Sequence, residues 1–169
     1  MTTISTTGDY NVKASINAHL RAALAAFTRP AWLATLPPLV TNRGEAELPL
    51  PCWSLDYMLS YTRQEYMGNM ADGVRGRRAT GQFDVSVWVS RSNADWLRQL
   101  RTMTDMVKTA ILDDPNVVIM DYAANLASPA STGYLVRLGD ISEVETARDP
   151  NPDIERARLL VVYRLIQRS

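Results

Sequence analysis

Apolar residues recur at helical spacing near the start of the chain. Val12, Ile16, Leu20, Ala23, Leu24 and Phe27 fall on one side of a helical repeat. They predict an amphipathic helix over about 11–28, with Asp9 placed to cap its start. Pro30, Pro37 and Pro38 end it, because proline lacks the amide hydrogen and its ring clashes with the preceding turn. Residues 29–51, which also contain Pro49 and Pro51, read as a long irregular connection. Residues 1–9, rich in Thr and Ser, read as a flexible arm.

At Trp53 the period changes from helical to alternating. Trp53, Leu55, Tyr57, Leu59 and Tyr61 alternate with Ser54, Asp56, Met58, Ser60 and Thr62, which predicts a strand. Phe83, Val85, Val87 and Val89 repeat the pattern against Asp84, Ser86 and Ser90, giving a second strand to pair with the first. Between them Gly68, Gly73, Gly76 and Gly81 punctuate a stretch with no sustained period, so 67–81 reads as an exposed glycine- and arginine-rich loop.

Ser92 and Asp95 have capping-box spacing. Trp96, Leu97, Leu100, Met103, Val107, Ala110 and Ile111 then mark a second helix face, ended by Pro115. Asp113 and Asp114 oppose the dipole at that helix end. Val117 to Met120 is a short apolar strand, and 123–133 a loop of small and polar residues. Tyr134, Val136 and Leu138 alternate until Ile141 breaks the register near Gly139, where a bulge is expected. Ala157, Leu159, Val161, Tyr163 and Leu165 form one face of the last strand. A turn centred on Pro150–Asn151 would set Glu145 opposite Arg156 and Glu143 opposite Arg158, each pair favourable by roughly a few tenths of a kcal/mol. The expected order is α-β-β-α-β-β-β. That is an α+β fold: an antiparallel sheet with two amphipathic helices packed on one face.

Composition narrows the functional classes. The 169 residues are 46% hydrophobic and 21% charged, which fits one domain, 1–169, with a substantial core. Eighteen basic and eighteen acidic residues cancel, which argues against a general nucleic-acid binder and removes a barrier to self-association. The opening residues lack the features of a signal peptide, and no apolar run suits a bilayer, so no membrane association is expected.

Candidate chemistry is sparse. His19 is the only histidine, which excludes a His₂ metal site within one chain, and its helix-flank position offers no partner for base catalysis. Cys52, at the start of a strand, reads as a buried inert thiol. Asp113/Asp114 read as a solvated helix end, and Glu143/Glu145 as salt-bridged surface. The glycines fit neither GxGxxG nor GxxxxGK[ST]. No catalytic, cofactor or metal residue is assigned.

Two features remain. Arg75, Arg77 and Arg78 lie in the glycine-rich stretch, suited either to keeping a hairpin tip soluble or to touching phosphates or an acidic partner. The face opposite the apolar side of the strands is mixed: Arg156, Arg158, Leu160, Val162, Arg164 and Ile166 on the last strand, with Met58 and Trp88 elsewhere. Such a face suits a subunit contact, with Trp88 as an anchor. Trp53 and Trp96 read as core, and Trp32 as packing on the sheet edge.

The order of elements, with QFDVSVWVSRSNADWLRQL and DIERARLLVVYRLIQR, resembles the phage tail-terminator and neck group, including the lambda-type terminators. The resemblance covers about 9–167, and the long 29–51 connection departs from it. It implies a homohexameric ring that caps the tail tube and offers a surface to a head-closure or connector protein. It also implies assembly into the virion in the host cytoplasm, no catalytic residues, and non-specific contact with DNA in a central channel, through Arg75–Arg78. The alternatives are a head-closure or head–tail connector protein, a small Mg-dependent enzyme using the Asp/Glu pairs, and a nucleic-acid-binding module centred on Arg75–Arg78.

Overall fold

Among the described residues, the apolar repeats of both helices and of the long strands meet in one common core. The computed structural model describes residues 9–41, 48–56, 63–69, 75–144 and 151–167, and side chains at 10–41, 48–56, 80–144 and 151–166. The helices are α1, Asp9–Ala26, and α2, Trp96–Asp113. The strands are β1 (Leu39–Thr41), β2 (Cys52–Asp56), β3 (Arg63–Asn69), β4 (Arg75–Ser90), β5 (Asn116–Met120), β6 (Ser131–Val144) and β7 (Ile154–Gln167). They form one sheet in the order β1-β2-β4-β7-β6-β5, with β3 paired to β4.

Both helices cover the same face of this α+β fold. Val12, Ile16, Leu20 and Leu24 of α1 and Met103, Val107, Ala110 and Ile111 of α2 pack on Trp53, Phe83, Val85, Val136, Leu159 and Val161. Trp53 is fully buried, and its indole N–H donates to the Met103 carbonyl at 3.1 Å, tying β2 to α2. Leu97, expected on this face, is 46% exposed, while Gln99 and Met106 are buried in its place. Asn11 of α1 donates to Asp121 and accepts from the Ala123 amide, both at 2.9 Å, and Ser15 accepts from the Met120 amide at 2.9 Å. These bonds fix α1 to the end of β5.

The expected elements gain two strands. The connection 29–51 contains β1, which pairs in parallel with β2, so the sheet is mixed rather than wholly antiparallel. Pro37 and Pro38 are compatible because β1 lies at the sheet edge, where a missing amide costs no ladder bond. The stretch 67–81 is not a long loop. Arg63–Asn69 and Arg75–Thr80 form an antiparallel ladder, with a register shift at Gly68. The glycines did not prevent strand formation, because the neighbouring strands supply the ladder. Gly81 is required for closeness: a Cβ there would lie 2.3 Å from Cζ of Tyr163 on β7. The expected loop residues 70–74 and the expected strand residues 57–62 lie outside the described residues, as do the arm 1–8 and Glu145.

The terminal hairpin shows why the expected Glu143–Arg158 pair fails. A bulge between Gly139 and Ile141 leaves Asp140 as the extra residue, at φ 48°, a conformation Asp tolerates better than most. The extra residue advances the register by one, so Glu143 faces Leu159 rather than Arg158. Glu143 instead pairs with Lys108 of α2. The expected capping box is also absent: Asp95 makes no side-chain cap bond, and Ser92 bonds Ser90 at 2.6 Å. Asp95 pairs with Arg98 at 2.7 Å.

Candidate functional site

The sheet face away from the helices carries the charged residues of β7, and register decides what each one meets. One row runs Cys52–Trp88–Arg156 across β2, β4 and β7, the next Ser54–Ser86–Arg158, and the next Asp56–Asp84–Leu160. Arg156 lies over Trp88 at 4.5 Å and donates to Ser86 Oγ at 2.8 and 3.0 Å. The Trp88 indole N–H donates to Ser54 Oγ at 2.9 Å, and Ser54 in turn reaches Asp56 at 3.3 Å. Arg158 Nε donates to Asp84 Oδ2 at 2.6 Å.

This network is closed over by its own side chains. Asp84 is 2% exposed, Ser86 0% and Trp88 3%. Val40, Cys52 and Trp88 form a second small core, with Leu48, Leu50 and Ile154 packed against it. Burial pushes the Cys52 thiol from 9.0 up to about 11, so it stays protonated and unreactive near neutrality. Asp84 Oδ1 is buried without a hydrogen-bond partner among the described residues, the one polar atom the network leaves over.

Toward β5 the same face opens. Val118, Leu135 and Ile166 stand side by side on β5, β6 and β7. The neighbouring row places Asn116 beside Arg137, Arg137 beside Arg164, and Arg164 beside Thr80. Arg164 is 55% exposed and reaches Asp140 at 3.3 Å. This arrangement can bind anions or carboxylates. Among the described residues, no three His, Cys, Asp or Glu side chains gather to hold a metal.

The structure separates the residues singled out from the sequence. Trp88 and Arg156 come together, and Arg158 stands across from Ser86 and binds Asp84, so all three are engaged within the chain. Arg164 alone lies on the open part. Arg75, Arg77 and Arg78 are backbone members of β4, opposite Asn69, Tyr66 and Glu65 of β3, and their side chains lie outside the described residues. His19 Nε2–H donates to the Asp114 carbonyl at 2.9 Å, joining α1 to the end of α2. Trp32 packs under Arg98 of α2 at 4.6 Å, and Trp96 is half-buried under Arg91 at 5.4 Å. Sequence reasoning missed Asp84, Ser54 and Ser86, whose alternation reads as solvent-facing. It also missed Arg137, whose only signal is its place between Val136 and Leu138.

A cleft of about 580 Å³ lies between α2 and the β6–β7 hairpin, lined by Leu100, Arg101, Thr104, Asp105, Glu143 and Ala157 among others. Among the described residues no helix is long and apolar enough to cross a membrane. No family model and no curated protein matches the chain. Among solved structures, the fold is similar to a chain of the virion of a native gene transfer agent particle, with a TM-score of 0.53 and 16% identity, over 93% of this chain and 98% of that one.

Proposed function

We propose that this chain is a structural virion protein, a subunit of the ring that terminates a phage-type tail tube and joins it to the head. The observation that carries this reading is fold similarity over nearly the whole of both chains to a component of a gene transfer agent virion. The order of elements, which resembles tail terminators, supports the particular station. A sheet face half finished and half open supports a subunit that completes itself against neighbours. On this reading the protein is not an enzyme. It acts through its partners: copies of itself in a hexameric ring, the tail tube protein, and a head-closure or connector protein. It resides in the virion neck after assembly in the host cytoplasm, and any contact with DNA in the channel is non-specific.

Negative-stain electron microscopy of the purified protein, alone and with tail tubes, tests this. Rings, or caps at one tube end, are expected. Rings that bind the portal side instead of the tube would transfer the protein to head closure. Particles of one chain mass in both samples would refute the ring reading.

A further inference from the structure

Two surfaces on opposite layers of the fold are locally unfavourable, with opposite sign. On the sheet, Arg137 and Arg164 are directly opposed on neighbouring strands, and like charges so placed repel; exposed Asp140, 3.3 Å from Arg164, offsets one of the two and leaves one positive charge over. Alongside them runs the apolar row containing Val118 and Ile166, which are 38% and 41% exposed. On the helix layer, α2 ends at Asp113, followed by Asp114, where the unpaired carbonyls already carry partial negative charge. Both aspartates are exposed, and Leu112 beside them is 69% exposed. His19 lies 3.9 Å from the Asp114 carboxylate.

We infer that these surfaces are the two sides of one head-to-tail contact, in which the Arg137–Arg164 half of the sheet on one copy receives the Leu112–Asp114 end of α2 from the next. The occupant is a second copy because the chain itself carries the complement: carboxylates for guanidinium groups, and an exposed leucine for an exposed aliphatic row. Arginine pairs with carboxylates through two parallel donors, which fixes orientation as well as attraction. Each local repulsion becomes an attraction once the contact forms, and zero net charge adds no long-range penalty. Two different surfaces on opposite layers make the contact heterologous, the type that closes into rings or runs on as filaments. The inference rests on the ring reading and assigns its surfaces.

Charge exchange tests it, read by light scattering after size exclusion at matched concentrations. R137E/R164E and D113R/D114R should each weaken self-association by about tenfold or more, since each leaves like charges facing across the contact. An equimolar mixture of the two should assemble as the unsubstituted protein does, because every contact in an alternating ring is again between opposite charges. D113R/D114R relieves the opposition to the helix dipole, and R137E/R164E loses only the exposed Arg164–Asp140 pair, a small cost, so thermal melting should stay cooperative. Assembly unaffected by either pair, or not restored by mixing, would overturn the contact while leaving the ring reading intact. Unsubstituted protein that never self-associates, with or without tubes, would overturn both. Loss of short DNA duplex binding in R137E/R164E with unchanged assembly would reassign the arginines to a polyanion.

Discussion

The sheet face away from the helices is two surfaces built from the same strands. Near β2 it is finished within the chain: Arg158 reaches buried Asp84, Arg156 covers Trp88, and the serines beneath accept or relay hydrogen bonds. Near β5 it is unfinished, with exposed aliphatics and two opposed arginines. Residue type does not separate them, since both contain arginine and apolar side chains. The separation comes from which residues stand across the neighbouring strand. In the finished half arginine meets a buried carboxylate and serine; in the open half arginine stands across from arginine, and the one carboxylate in reach, Asp140, is itself exposed. Charge on a strand becomes internal structure or external surface according to register.

Substitutions should therefore divide sharply between the halves. The largest effect is expected from Arg158→Ala, which leaves the buried Asp84 carboxylate unpaired and should cost about 3–5 kcal/mol in chemical denaturation. An Asp84→Asn, Arg158→Met double variant should recover part of that loss, because neither charge then remains buried. A loss below about 1 kcal/mol for Arg158→Ala would mean that the finished half is wetter than its geometry indicates.

Gly81→Ala comes next. The added methyl group would collide with the Tyr163 ring, itself 4% exposed and 6.1 Å from Phe83, so roughly 1–3 kcal/mol should be lost. Thermal melting of the variant checks this. Trp88→Phe keeps the apolar contact but removes the donor to Ser54, for an expected loss of about 1 kcal/mol.

Cys52 supplies a pH test of the finished half. Its folded pKa is raised, so the protonated thiol is the form the fold favours. That contribution is complete below pH 9.0 and is lost as pH rises toward about 11. The stability of Cys52→Ala should fall less steeply across that window than that of the unsubstituted protein, in urea titrations at matched pH. Parallel slopes would contradict the assigned burial of the thiol. The smallest effect on folding is expected in the open half: Arg137→Gln relieves the repulsion and should raise stability by about 0.5 kcal/mol or less.

The same distinction explains what could be read before the structure was known. The helices, the pairing of β2 with β4 and the bulge near Gly139 follow from local periods, because periodicity reports burial directly. β1 and β3 do not, because their strand character comes from neighbours: three residues after two prolines, and a largely polar segment with no apolar alternation. The mixed face was readable as a face, but not its division. Asp84 and Ser86 look like ordinary solvent-facing positions until Arg158 and Arg156, each one row away on β7, reach diagonally across to them. A single bulge at Asp140 was enough to move Glu143 from Arg158 to Lys108, beyond what spacing alone resolves.

The division of this face is tested most directly by a cryo-electron microscopy map of the assembled particle. The account predicts Val118, Leu135 and Ile166 covered by the adjacent subunit, with the Trp88–Arg156 stack unchanged beneath its own chain. A ring in which the open half faces solvent, and subunits instead meet elsewhere, would contradict it.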